Sequence, residues 1–207
     1  MADRWASFDC YGTLVDWNSG LRDALGGDEL LARYHELEPE VQSEDPSRSY
    51  REVMRETARR LRVDADPAES LPEWPVFPDV RPALEEARSR GWRLAILSNS
   101  DRDLIEASID AIGVPFDLAI VASEIGSYKP MDAHWLAFAR EVGSSPDVHV
   151  AQSHFHDVVP ALRLGIPTIW INRTDEVRDP PPTLQRPNLE GLADALDELV
   201  PAGVAAR

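Results

Sequence analysis

The feature that most constrains this chain is a set of five short apolar runs, each closed by polar residues: WASFDC near residue 5, RLAILSN near 93, DLAIVAS near 117, VHVAQS near 148 and PTIWIN near 167. Runs this short and this uniformly apolar suit parallel strands buried on both faces. Amphipathic helical stretches fall between them, at Arg81 to Arg90, Arg102 to Ile112, Ala133 to Val142, Val158 to Leu164 and Leu189 to Leu199. Gly91, Gly113, Gly143 and Gly165 stand where those helices need a C-terminal stop. Strand and helix alternate, which predicts an α/β fold with a doubly wound parallel sheet.

One stretch breaks the alternation. From Trp17 to Phe77 there are two helical patterns, near Leu21 to Leu37 and Ser49 to Leu61, and no strand. Pro72, Pro75 and Pro78 then stiffen the return to the sheet. The expectation is a Rossmann-like core over residues 1–16 and 78–207 carrying a small inserted α-helical cap over 17–77. RDPPPTLQRPN reads as a proline-rich loop before the last helix, and Pro201 to Arg207 as a frayed tail.

Composition narrows the function. The 207 residues carry a formal charge of −16, and no stretch reads as a basic stripe, which argues against a nucleic-acid partner and for a small-molecule substrate. No apolar run approaches the roughly 20 residues of a membrane span. Only Met1 to Arg4 precede the first apolar segment, so cytoplasmic residence is the expectation. The one cysteine, Cys10, rules out an intramolecular disulfide, and strand alternation turns it away from Asp9. Of 21 basic residues only Lys129 is a lysine; lysine alone offers a compact point charge on a slim stem.

Ligands of parallel α/β sheets sit beyond the carboxyl ends of the strands, so the polar residues after each run belong together. They are Asp9 and Thr13 after the first, Ser98 and Asn99 after the second, Lys129 before the fourth, and Ser153, His154 and Asp157 after it. This set suits covalent catalysis, with Asp9 attacking an electrophile, Lys129 holding its charge and orientation, and Ser98 and Thr13 donating to developing charge. Ser98 and Asn99 have a second reading as caps of the helix that begins near Asp101. Tyr11 is either a pocket wall or a packing residue, and His154 and His156 are equally buried histidines with backbone partners or substrate contacts. Trp17 and Phe155 divide between pocket lining and core. A metal site built on His154, His156 and Asp157 is disfavoured, because strand alternation would separate them.

FDCYGTLVD, LSNS, SYKP and SHFHD together resemble, in order, the four motifs of the haloacid dehalogenase superfamily. The resemblance, with the cap interval, spans about Trp5 to Arg173. It implies that Asp9 is the nucleophile, that Lys129 orients it and that Asp157 is the acid of the fourth motif. Phosphatases of the superfamily carry a second Asp two positions after the nucleophile; here stands Tyr11, a poor general acid that adds no charge to hold a cation. Asp9, Tyr11, Gly12 and Thr13 instead spell the DxYGT arrangement of the L-2-haloacid dehalogenases, and WINR is similar to them too.

The implied reaction is displacement of halide from a small 2-haloacid by Asp9, with inversion, then attack of water on the Asp9 carbonyl carbon. It needs no cofactor and no metal. Ser98, Asn99 and Lys129 would bind the substrate carboxylate, and Asp157 would position or deprotonate the water. Two positions depart from the family. His35, in ARYHELEPEVQ, falls nearest the cap Arg that receives the halide, a role it fills only when protonated; His154 replaces an Asn of the fourth motif. The alternatives are a magnesium-dependent phosphatase and a noncatalytic carboxylate-binding or interaction protein. The resemblance also implies a homodimer.

Overall fold

The computed structural model describes residues 3–201. Six strands form one parallel sheet: β1 (Arg4–Phe8), β2 (Trp92–Ser98), β3 (Leu118–Val121), β4 (Val148–Ala151), β5 (Thr168–Ile171) and β6 (Leu184–Arg186), in the order β3-β2-β1-β4-β5-β6. The chain leaves β1 toward β2 on one side and returns to β4 on the other. The order therefore reverses at β1, and a crevice opens beyond the ends of β1 and β4.

The sheet is flanked by α5 (Val80–Ser89), α6 (Arg102–Ile112), α7 (Ala122–Ile125), α8 (Ala133–Val142), α9 (Val159–Arg163) and α10 (Leu192–Leu199). Alternation along β2 assigns its two faces. Leu94 packs with Val80, Leu84 and Leu196 of α5 and α10, while Ala95 and Leu97 pack with Trp135, Phe138 and Ala161 of α8 and α9. The proline-rich loop contains a strand that the sequence reading missed. β6 is three residues long, half-exposed and paired only to β5, and an edge strand of that kind leaves no apolar run to detect.

Outside the sheet lie the cap helices α1 (Trp17–Leu25), α2 (Asp28–Glu44), α3 (Tyr50–Leu61) and α4 (Pro67–Ser70), followed by a 3-10 turn over Leu71–Glu73. The single helix expected over Leu21 to Leu37 is two helices. Gly26 and Gly27, at φ +90° and +145°, break it, a conformation that only glycine adopts cheaply. α2 also continues through Pro39 to Glu44 instead of stopping before the proline. Ser49 and Glu52 form a reciprocal capping box at the start of α3. Leu21, Tyr34, Val53, Met54 and Leu71 share a core with Ile96, Leu104 and Ile105, so cap and α6 are packed as one apolar cluster. No helix among the described residues is long and apolar enough to cross a membrane. The tail expected to fray lies, apart from Pro201, outside the described residues.

Candidate active site

At the reversal of strand order a cavity of about 560 Å³ separates the sheet from the cap. Asp9 follows β1 directly, and the turn at Gly12, with φ +85°, brings Thr13 back beneath it. Thr13 Oγ1 donates to Asp9 Oδ2 at 3.0 Å and accepts the backbone N–H of Gln152 at 2.9 Å. Thr13 is fully buried and does not line the cavity, so it holds Asp9 from behind.

Lys129 reaches the same point from the segment before α8. Its Nζ donates to Asp9 Oδ1 at 2.9 Å, to Asp157 Oδ1 at 2.6 Å and to the carbonyl of Leu97 at 2.8 Å. All three ammonium protons are thus satisfied. Burial alone would lower the Lys129 pKa, but the two carboxylates more than offset it and keep the amine charged. At Asp157 burial pushes the pKa up, but Lys129 and the His149 hydrogen bond bring it down to about 2. At Asp9 burial wins: with Asp157 adding repulsion, the carboxyl sits above its usual range in spite of Lys129. One ammonium serves two buried carboxylates, and Asp9 is the more basic of the two.

Asn99 lines the cavity, but its amide is engaged with the Lys129 backbone: Oδ1 accepts Lys129 N–H at 2.6 Å and Nδ2 donates to Lys129 O at 3.0 Å. It therefore fixes the base of the lysine and does not cap α6. Ser98 lines the cavity at the end of β2, and its carbonyl accepts from the buried His134 at 2.9 Å. Ser153 lines it too, its Oγ accepting His156 N–H at 3.2 Å and lying 3.0 Å from His156 Nδ1.

His154 is not brought to the site. Its Nε2 donates to the carbonyl of Pro180 at 2.8 Å, the ring packs on Trp170, and His156 lines the cavity in its place. Past β4 the chain winds as a π-helical turn over His154–Val158, where strand alternation no longer applies, and it presents Ser153, His156 and Asp157 to the cavity while leaving His154 outside it. Phe155 is 64% exposed on the same turn, whereas Trp17 lines the cavity. Tyr11 belongs to both of its expected roles: it lines the cavity, stacks on Tyr50 at 6.2 Å and places its hydroxyl 3.2 Å from Ser108 Oγ. Cys10 is buried among Val15, Leu21 and Ile96, and burial pushes its thiol far up, leaving it unreactive.

The cap wall is differently composed. His35 lines the cavity, lies 3.1 Å from Asn18 Oδ1 and meets the ring of Trp17 at 4.9 Å. Burial lowers its pKa, which opposes the cationic form that halide binding needs. Glu38, which the sequence reading passed over, lines the same wall among Tyr34, Tyr50 and Trp17. Burial raises its carboxyl to about 7, against the hydrogen bonds from Tyr50 and Tyr34. Arg173, from WINR, braces the floor: it pairs with Asp79 at 2.9 Å, donates to Thr13 O at 3.0 Å and stacks on Phe77 at 3.7 Å. Asp101 latches core to cap, accepting the N–H groups of Tyr50 and Arg51 at the start of α3, each at 3.0 Å. Its position just past LSNS was the available signal, but the partner helix lies fifty residues upstream.

Among the described residues no group of three or more His, Cys, Asp or Glu is placed to hold a metal ion. The position two residues past Asp9 is a phenol engaged with Ser108, and an ammonium bridges the two carboxylates that would be first choice for a cation. The donor set thus does not fit a divalent ion.

The chain is 28% identical over 193 residues to an (S)-2-haloacid dehalogenase of Pseudomonas sp. (strain YL), spanning 83% of each. It is 29% identical over 111 residues to a phosphoserine phosphatase of Thermus thermophilus, covering 52% of this chain and 45% of that one. The crystal structure of an L-2-haloacid dehalogenase from Xanthobacter autotrophicus with chloropropionic acid covalently bound superposes with a TM-score of 0.82 at 20% identity, over 98% and 100% of the two chains, a likeness of fold. The sequence model of the haloacid dehalogenase-like hydrolases matches residues 4–151. With that match over most of its length and the same sheet-and-cap architecture, the chain belongs to the haloacid dehalogenase-like hydrolase family.

Proposed function

We propose that this chain hydrolyses small 2-halocarboxylates to 2-hydroxycarboxylates through an ester formed on Asp9, without a metal. The observation that carries the reading is the single ammonium of Lys129 held between Asp9 and Asp157, with a tyrosine two positions after Asp9. Burial makes Asp9 basic for a carboxylate, and the ammonium with the Thr13 hydroxyl keeps its charge in place. An ionised Asp9 attacks the α carbon from the side opposite the halide, which leaves with the bonding pair and needs no proton. Configuration inverts. Water then adds to the Asp9 carbonyl carbon, the bond to the alkyl oxygen breaks, and the product oxygen takes one of the water's protons while the other goes to solvent. Asp157 is the group that lines the cavity beside Lys129 and is ionised at neutral pH, fit to take the proton in transit. Ser98, which lines the cavity at the end of β2, is the donor we assign to the substrate carboxylate.

Likeness to an (S)-2-haloacid dehalogenase over most of both chains supports this choice. A phosphatase reading has the partial likeness to a phosphoserine phosphatase in its favour, and against it the absence of an acid at Tyr11. Chloride release from L-2-chloropropionate in the presence of chelator, wild type against Asp9→Asn, decides between them. Release that disappears in the variant is expected; no release by wild type, with metal-dependent phosphate release from phosphate esters, overturns the proposal.

A further inference from the structure

His149 is a fully buried histidine in β4 between Val148 and Val150, beneath the floor of the crevice. Its Nε2 lies 2.9 Å from Asp157 Oδ1 and its Nδ1 lies 2.8 Å from the Oγ of Ser7, the residue that pairs with it across β1 and β4. The ring packs edge-on against Trp135 at 5.4 Å. An imidazole inside a parallel sheet is costly unless both nitrogens are satisfied, and here both are.

The partners fix its tautomer. An ionised Asp157 only accepts, so Nε2 carries the proton and donates; the lone pair of Nδ1 then takes the Ser7 hydroxyl, whose other neighbour, Val148 O, is a long 3.4 Å away. Asp157 Oδ1 is consequently held by two donors from separate segments, Lys129 Nζ at 2.6 Å and His149 Nε2 at 2.9 Å. Neither bond uses Oδ2, and Asp157 lines the cavity.

We infer that His149, set by Ser7, is a positioning residue for the second half of the reaction, holding Asp157 so that Oδ2 meets the water that attacks the Asp9 ester. This rests on the proposed hydrolysis through Asp9. During the first half both carboxylates are charged and Lys129 restrains both. Esterification removes the charge of Asp9, and the His149 donor continues to orient Asp157 when the Lys129 ammonium has lost one of its two anchors. Asp157 Oδ2 takes a proton as the water oxygen bonds to the Asp9 carbonyl carbon. It returns that proton to the alkyl oxygen as the ester bond breaks, and the remaining proton leaves Asp9 for solvent.

The two halves separate in rapid-quench experiments with enzyme in excess over L-2-chloropropionate, measuring chloride and the Asp9 ester independently. His149→Phe is expected to leave chloride release within about threefold and to lengthen the ester's lifetime roughly 10- to 100-fold, the scale of a mispositioned acid–base group. His149→Gln, which keeps a side-chain donor, recovers part of the loss. Ser7→Ala, a smaller perturbation of packing, lengthens the lifetime less. Equal slowing of both halves, or an unchanged ester lifetime in His149→Phe and Ser7→Ala, overturns the positioning role alone. No chloride from wild type overturns the reading of the site, and this role with it.

Discussion

The two walls of the cavity handle charge in opposite ways. On the sheet side every ionised group is answered: Lys129 by Asp9 and Asp157, Arg173 by Asp79, and Asp157 by a second donor in His149. On the cap side Glu38 lies among tyrosines and a tryptophan, its pKa raised to about 7, and His35 is pushed below its usual range by burial. The first wall is built to hold a charged constellation rigid, as a reaction with a developing leaving group requires. The second holds two groups that lean to their neutral forms, Glu38 and the more exposed His35, beside Arg22 of α1, which pairs with Asp28 at 2.6 Å, and it is suited to selecting a substrate by shape and hydrogen bonding. The difference teaches where to look for each property: chemistry in the strand ends, preference in α1, α2 and α3.

The contrast breaks most visibly at Lys129. Lys129→Met removes the ammonium while keeping the stem, and is expected to abolish halide release and to cost about 3–5 kcal/mol in urea unfolding, because two buried carboxylates lose their counterion. The loss has a sign in pH. Without the ammonium Asp157 joins Asp9 above its unfolded value, so the variant regains stability as pH falls toward 4; in wild type the Asp157 contribution is fully present above 3.8 and is lost as pH falls from there through about 2. A variant whose deficit is equal at pH 4 and pH 8 would contradict the charge account.

Asp101→Ala tests the latch between the walls. Loss of two charge-assisted bonds at the start of α3 is expected to cost about 1–2 kcal/mol and to raise KM several-fold with a smaller change in kcat, since the chemistry on the sheet side is untouched. Glu38 sharpens the comparison through stability. Its folded pKa of about 7 exceeds the ordinary 4.5, so its contribution is fully present below 4.5 and is lost as pH rises through 7. Glu38→Gln should therefore melt about 5 °C higher relative to wild type at pH 8 than at pH 5. An unchanged difference between the two pH values would place Glu38 in a more polar setting. The smallest effect is expected at His35: His35→Gln leaves KM for L-2-chloropropionate within about threefold, whereas a protonated halide-binding imidazole would make KM rise as pH rises and the variant far weaker.

The same division runs through what the sequence made legible. Asp9, Thr13, Ser98, Lys129, Ser153 and Asp157 could be gathered from their places after apolar runs because a parallel sheet brings strand ends together whatever lies between. His149 was hidden inside such a run, where an apolar reading of VHVAQS has no use for it. The position of His154 follows from counting back from Asp157 to the Asn of the fourth motif, a count along the chain that does not register the π-helical turn by which His156 lines the cavity instead. In the cap the approximate helices were legible, but the partners of Glu38 and Asp101 depend on how α2 and α3 lie against α6, which no local pattern encodes.

A single turnover in water enriched in ¹⁸O, with enzyme in excess over L-2-chloropropionate, tests the central claim directly. Attack of water on the Asp9 carbonyl carbon places the heavy oxygen in the Asp9 side chain and leaves the first equivalent of 2-hydroxypropionate unlabelled. Label in that first equivalent of product, with Asp9 unlabelled, would mean that water attacks the substrate carbon itself and would contradict the ester on Asp9.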